Sequence, residues 1–171
     1  MSTTSTSLRT GTWLVQAERT RAAFTVANLG RTVEGTVPVR EGELVVDGSG
    51  APQRLAATLD LAGIDTANTR RDKDLRKPRF LDLDAHPTLT FVSERITTGG
   101  DGWTAHGTLS ARGTSCALTL QGTRPSQPDE DGSVRVEATA VLDRRDLGVK
   151  APRVLIGHQL SITVTVWLAP A

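Results

Sequence analysis

Period-two alternation runs through the chain from Trp13 to its end, and it leaves few folds open. Leu160, Ile162, Val164, Val166 and Leu168 share one face of the last block, while Gln159, Ser161, Thr163 and Thr165 share the other. The same split separates Val134, Val136, Ala138, Ala140 and Leu142 from Ser133, Arg135, Glu137 and Thr139, and it recurs in Leu55, Ala57, Leu59 and Leu61. Successive strand side chains point to opposite faces, so each block predicts a strand with one buried and one wet face. Blocks fall near residues 13–17, 21–28, 31–39, 43–47, 53–62, 88–96, 102–111, 114–123, 132–142 and 158–168. Turn residues stand between them, at Arg40-Glu41-Gly42, Asp47-Gly48, Gly99 to Gly102, Arg112-Gly113 and Asp131-Gly132. Eight to ten hairpin-linked strands in an all-β antiparallel chain are enough to close a barrel.

One segment breaks the pattern. Residues 69 to 91, TRRDKDLRKPRFLDLDAHPTLTF, are densely charged and carry a helical signal. The Thr69 to Asp72 spacing predicts a capping-box start, Asp72 and Arg76 stand one turn apart, and Pro78 forbids helix beyond Lys77. Phe80, Leu81 and Leu83 then alternate with Asp82 and Asp84 before a strand containing Leu89 and Phe91. A short helix with an apolar underside, a lid or end-cap, is the expectation.

Composition removes several function classes. With 171 residues and a mean hydropathy of −0.22, the chain suits one globular domain, expected over 12–171 behind a flexible polar tail at 1–11. Twenty basic against nineteen acidic side chains leave a net charge of +1, so no overall field attracts nucleic acid or an anionic membrane surface. The N-terminus, MSTTSTSLRTGTWLVQ, contains no apolar leader core, and no apolar stretch is long enough to span a bilayer as a helix. A cytoplasmic protein without an integral membrane segment is expected. Cys116, the single cysteine, shares a strand face with Leu118 and Leu120 and reads as a small buried hydrophobe. His86, His106 and His158 are isolated from one another and from other ligands at metal-binding spacing, so no metal and no cofactor are expected.

The inward rows contain many small residues, among them Gly35, Ala57, Ala105, Gly107, Ala111, Ala138 and Ala140. Only three Trp and three Phe are available to plug a barrel. From composition alone a hollow apolar interior and a solid core stand level, since barrels of this strand number do either.

In this order and spacing, four patches resemble the YceI family of polyisoprenoid-binding, lipocalin-like proteins. They are FTVANLGRTVEG, with Phe24, Val26, Gly30 and Gly35; the charged segment, with Arg71-Asp72, Leu75, Phe80-Leu81-Asp82, Pro87 and Phe91; HGTLSARGTS, with Gly107, Leu109 and Gly113; and DRRDLGV, with Arg145, Asp146 and Gly148. The resemblance spans about residues 12 to 168. It implies an eight-stranded antiparallel barrel with short helical segments in its connections. It further implies an apolar channel for an isoprenoid quinone or polyprenyl phosphate, no catalytic chemistry, and a homodimer. This chain departs from the family at an early His-Ser and a later His, where Arg19, Thr20 and Asn28 stand, and it replaces two aromatics with Val37 and Leu147. A wider or differently shaped channel follows from those changes.

Channel contacts are therefore expected from Phe24, Val26, Leu59, Leu75, Phe80, Phe91, Leu109, Val136, Ile162 and Val164, each of which would serve a packed core equally well. Arg71, Asp72, Arg145 and His158 are the candidates for a polar head group at the mouth, guanidinium being suited to phosphate. Three functions compete: a non-enzymatic carrier or store of an isoprenoid lipid or other long apolar amphiphile, a solid interaction module, and an isomerase or cyclase using Asp60, Asp72 or His158. Alternation turns Asp60 outward, away from Leu59 and Leu61, which disfavours the enzyme.

Overall fold

The computed structural model describes residues 8–28, 30–78, 80–100, 102–148 and 157–171. Most of the tail expected over 1–11 lies outside them. Ten strand segments form one antiparallel sheet: β1 (Gly11–Val15), β2 (Arg21–Asn28), β3 (Arg31–Val37), β4 (Val39–Val46), β5 (Pro52–Asp60), β6 (Thr88–Gly99), β7 (Gly102–Ala111), β8 (Thr114–Thr123), β9 (Val134–Asp143) and β10 (Gln159–Pro170).

The ten segments make eight staves. β1 and β2 lie end to end along β10, whose Leu168 to Pro170 face Val15 to Trp13 and whose Leu160 to Thr165 face Val26 to Arg21. A short excursion at Ala17 to Thr20 separates them, and β10 is tied to both sides of it. The Gln16 amide donates to Trp167 O at 2.8 Å, and the Trp167 amide donates to Thr20 Oγ1 at 3.0 Å. β3 and β4 likewise follow one another through Pro38, pairing with β2 and β1 respectively. From β4 the sheet runs through β5, β6, β7, β8 and β9 to β10, and the β1–β10 pairing closes an eight-stranded antiparallel barrel.

The turn expected at Arg40 to Gly42 does not form. Those residues lie inside β4, with a register shift between Val39 and Glu41. Gly42 is there for space, since a Cβ would stand 2.8 Å from Val15 Cγ2. The other turns do reverse the chain, and Ala111 faces Thr114 across Arg112 and Gly113 at φ of 55° and 71°, the left-handed pair that a tight hairpin needs.

Apolar faces point inward. In β9, Val134, Val136, Ala138, Ala140 and Leu142 are buried while Arg135, Glu137 and Thr139 are exposed. A membrane-spanning barrel has the opposite arrangement, with apolar residues outward. Two clusters fill the ends. Trp13, Leu44, Val46, Val134 and Leu168 pack at the end where β1 meets β10. Leu81, Leu83, Leu109, Leu118, Leu142 and Leu147 pack at the other.

That second end carries the charged segment. After β5 the chain makes a 3-10 turn (Leu61–Gly63), pairs Asp65 with Thr36, and enters helix α1 (Thr69–Leu75), which stops short of Pro78. The expected capping box is replaced. Asn68, one position earlier, accepts the Arg71 amide at 3.0 Å, and Asp72 reaches past the cap to the amide and hydroxyl of Thr66. Below the helix Phe80, Leu81 and Leu83 are buried and Asp84 is exposed, so the segment is a lid with an apolar underside.

Candidate functional site

The core clusters leave the middle of the barrel unfilled. A cavity of about 730 Å³ runs along it from the lid to the opposite rim, within the range of sites that enclose small ligands. Its wall is made by the even rows of β10 and β9, the odd rows of β5, and facing residues of β2, β6 and β7. Small side chains at Ala22, Ala57, Ala111 and Ala138 keep the bore open, while the lid contributes Leu61, Ile64, Leu75 and Leu81. Water inside so apolar a tube finds few hydrogen-bond partners, which favours its replacement by hydrocarbon.

Phe24, Val26, Leu59, Phe91, Leu109, Val136, Ile162 and Val164 line this cavity from the inward rows of their strands, and Leu75 lines it from α1. Phe80 does not. It is buried under the lid at 8% exposure while its neighbour Leu81 takes the place facing the bore.

The candidates for the mouth separate. Arg71 lines the lid end, held by Nε to Thr66 Oγ1 and Nη2 to Thr66 O, both at 2.9 Å. Asp72 binds the same threonine from the other side and lies outside the lining. Arg145 turns away from the bore onto Asp143, with Nη2 2.7 Å from Oδ2 and Nε 3.0 Å from Oδ1. That guanidinium holds the Asp143 carboxyl far below the usual carboxylate range. His158 Nδ1 stands 3.5 Å from the same carboxylate, exposed.

Polar lining residues at both ends escaped the sequence reading. Thr66 and Arg144 stand at the lid end with Arg71, and Arg124 stands at the far rim among Gly99, Gly100 and Gly102. Arg144 was within reach, because the inward parity of Ala138, Ala140 and Leu142 carries on to it and not to Arg145. Its Nε donates to Gly157 O at 3.2 Å and its amide to His158 O at 2.8 Å, which fix it beside the mouth. Cys116 packs half-buried against the lid-end core, and burial, reinforced by Asp146, pushes its thiol pKa up.

The site is thus a hydrocarbon-lined tube with guanidinium groups at both ends. Comparison with known proteins bears on the fold that holds it. A barrel from Burkholderia cenocepacia, BcnA, superposes with a TM-score of 0.76 at 16% identity, covering 90% of this chain and 98% of that one. A polyisoprenoid binding domain from Saccharophagus degradans, implicated in plant cell wall breakdown, gives 0.66 at 11% identity, covering 93% and 98%. At these identities the likeness shows the fold. In sequence, a UPF0312 protein of Pseudomonas aeruginosa is 31% identical over 100 residues, 57% of this chain and 52% of that protein, so the match spans about half of its relative's length. Protein YceI of Escherichia coli O6:H1 is 26% identical over 148 residues, 84% of this chain and 78% of its own. The sequence model of the YceI-like domain matches residues 13–168, a span that takes in the lid and all of the barrel but the outer ends of β1 and β10, and this chain belongs to the YceI-like family.

Proposed function

We propose that this protein binds an isoprenoid lipid, a quinone or a polyprenyl phosphate, with the tail in the barrel and the head at the lid end, and carries or stores it without covalent change. The observation that carries this is the cavity: a continuous apolar bore with polar side chains gathered at its mouths. Each methylene moved from water into such a bore contributes about 0.8 kcal/mol, so a branched hydrocarbon tail gains affinity without polar contacts along its length. At the lid end Arg71 and Arg144 offer guanidinium groups for the head, a better pair than the Arg71 and Arg145 of the sequence reading. The structural neighbour from Saccharophagus is described as polyisoprenoid binding, which accords with the same use of the fold.

The carboxylates and histidine considered for catalysis support binding over chemistry. Asp60 lies 3.7 Å from Arg40, Asp72 is engaged by Thr66, and His158 stands beside Asp143, none of them in the cavity lining. Native mass spectrometry of protein purified from its own cellular background tests the proposal. A stoichiometric isoprenoid is the expected adduct. Ligand-free protein that also takes up neither quinones nor polyprenyl phosphates on titration would overturn it.

A further inference from the structure

The size of the bore specifies how much tail it holds. The tube encloses about 730 Å³. That is roughly five times the space of an enclosed apolar cavity that accepts one benzene ring, so on the same scale the tube takes about 29 carbon atoms, roughly the 25 of five isoprene units within the bore and the remainder in its open mouths. The ends explain why the space stops there. At the rim far from the lid, Trp13, Val46 and Val134 are 4%, 2% and 1% exposed and close one side of the tube with Leu44 and Leu168. The remaining passage goes past Trp103, whose indole lies against Gly122, and opens among Gly99, Gly100 and Arg124. A hydrocarbon that reaches this passage meets backbone, a guanidinium and water.

Resting on the carrier reading above, we infer that the bore selects isoprenoid tails of about five units, and that any further length emerges at the Arg124 rim without adding affinity. Up to that length every unit replaces water against Leu, Val, Ile and Phe side chains; beyond it the added methyl groups stay wet.

The test is displacement of a dansylated prenyl monophosphate by unlabelled all-trans prenyl monophosphates of two, three, four, five and eight units, each below its micelle concentration. Each unit from two to five should tighten binding at least about tenfold. The eight-unit chain should bind within about threefold of the five-unit chain. Affinity that keeps climbing, with eight units bound more than about a hundredfold tighter than five, would overturn the length limit while leaving the carrier reading in place. Failure of every chain to bind would overturn the carrier reading itself. A wall variant makes the geometry accountable. Ala57→Leu with Ala138→Leu puts two isobutyl groups where methyls line the bore. The carbon they add to the wall matches that of about one isoprene unit, and in a packed interior it displaces as much from the tail. The preferred tail should shorten from five units to four, and an unchanged length profile would sink the assignment. Ala57→Leu alone, at the less buried of the two positions, gives the same direction should the double variant fail to fold.

Discussion

A Cβ built on Gly35 would overlap the ring of Phe24, its partner across the β2–β3 ladder, and one on Gly122 would overlap the indole of Trp103 across β7 and β8. These glycines let an aromatic ring lie flat on the opposing strand, so the bore keeps its width where a side chain pair would narrow it. Gly107 differs, because its Cβ would meet the carbonyl oxygen of Val92 as well as the Phe91 ring. A ring swings aside; a ladder carbonyl does not. Gly35→Ala should therefore cost about 1–3 kcal/mol and Gly107→Ala more, compared by urea unfolding. Equal losses would show that the ring is as fixed as the strand. Charge at the lid end makes a second prediction. The Arg145 hydrogen bonds lower the Asp143 pKa below its ordinary 3.8, so their stabilising effect is complete above that value and fades as acid takes the pH down toward the lowered one. Arg145→Ala should lower Tm near neutral pH, with the deficit shrinking steadily below pH 3.8. A deficit independent of pH would mean that the guanidinium acts by packing. Eight of the nine wall residues were legible because strand parity is a property of the backbone, and the ninth, Leu75 on α1, came from the family resemblance. Arg144 went unseen where the strand gives way to a 3-10 turn, Arg144–Leu147, and Phe80 was misplaced where the lid has no regular period.

Between elements, the seam of β8 and β9 is the weakest part of the barrel. β7 and β8 match over ten residue pairs, whereas β8 and β9 match only at Gln121 with Thr139 and Gly122 with Ala138. A loop of ten residues, 124–133, joins them in place of a tight turn, and side chains prolong the register only on its loop side. There Thr123 Oγ1 receives the Glu137 amide at 3.2 Å and Ser126 Oγ receives the Arg135 amide at 2.8 Å. On the lid side the strands part around the 3-10 turn. Among the described residues the backbone groups facing the seam within 114–120 and 140–143 have no ladder partners, and such groups open more readily, so their amides should exchange at least about tenfold faster than those of β7, measured by hydrogen exchange with residue resolution. Uniform protection across β7, β8 and β9 would refute this. Alternation showed every strand, and its count of eight to ten spans the ten segments and eight staves, yet it put a turn inside β4 because it cannot distinguish a turn from a bulge. Gly42 made the same sequence signal as a hairpin glycine, and Pro38, which resembles a strand end, is only a bend between β3 and β4. The helix was visible in its charged spacing, but the cap fell to Asn68 because an Asn side chain reaches the third amide ahead without help from Asp72.

At the scale of the whole molecule, alternation states which face of a strand is covered and leaves open how far away the opposite wall stands. Leu160, Ile162, Val164 and Val166 all face inward and yet keep partial exposure, which is the mark of a bore between two packed ends. A solid barrel would bury them as β9 buries Val134 and Val136. The cost of leaving that surface wet is recovered when a ligand covers it, so occupancy and stability are linked. A ligand that binds only the folded state at a hundred times its Kd adds about 2.7 kcal/mol, which for a chain of this size raises Tm by roughly 5–11 °C. Filling the bore covalently should substitute for the ligand. Val164→Trp places an indole in the lumen, where it should raise the Tm of the ligand-free protein by covering part of the same surface and remove most of the ligand-dependent rise. Differential scanning of both proteins over a titration of one prenyl monophosphate separates the two effects. If the variant retains the full rise, the stabilising ligand sits outside the barrel and the bore is not where the lipid goes.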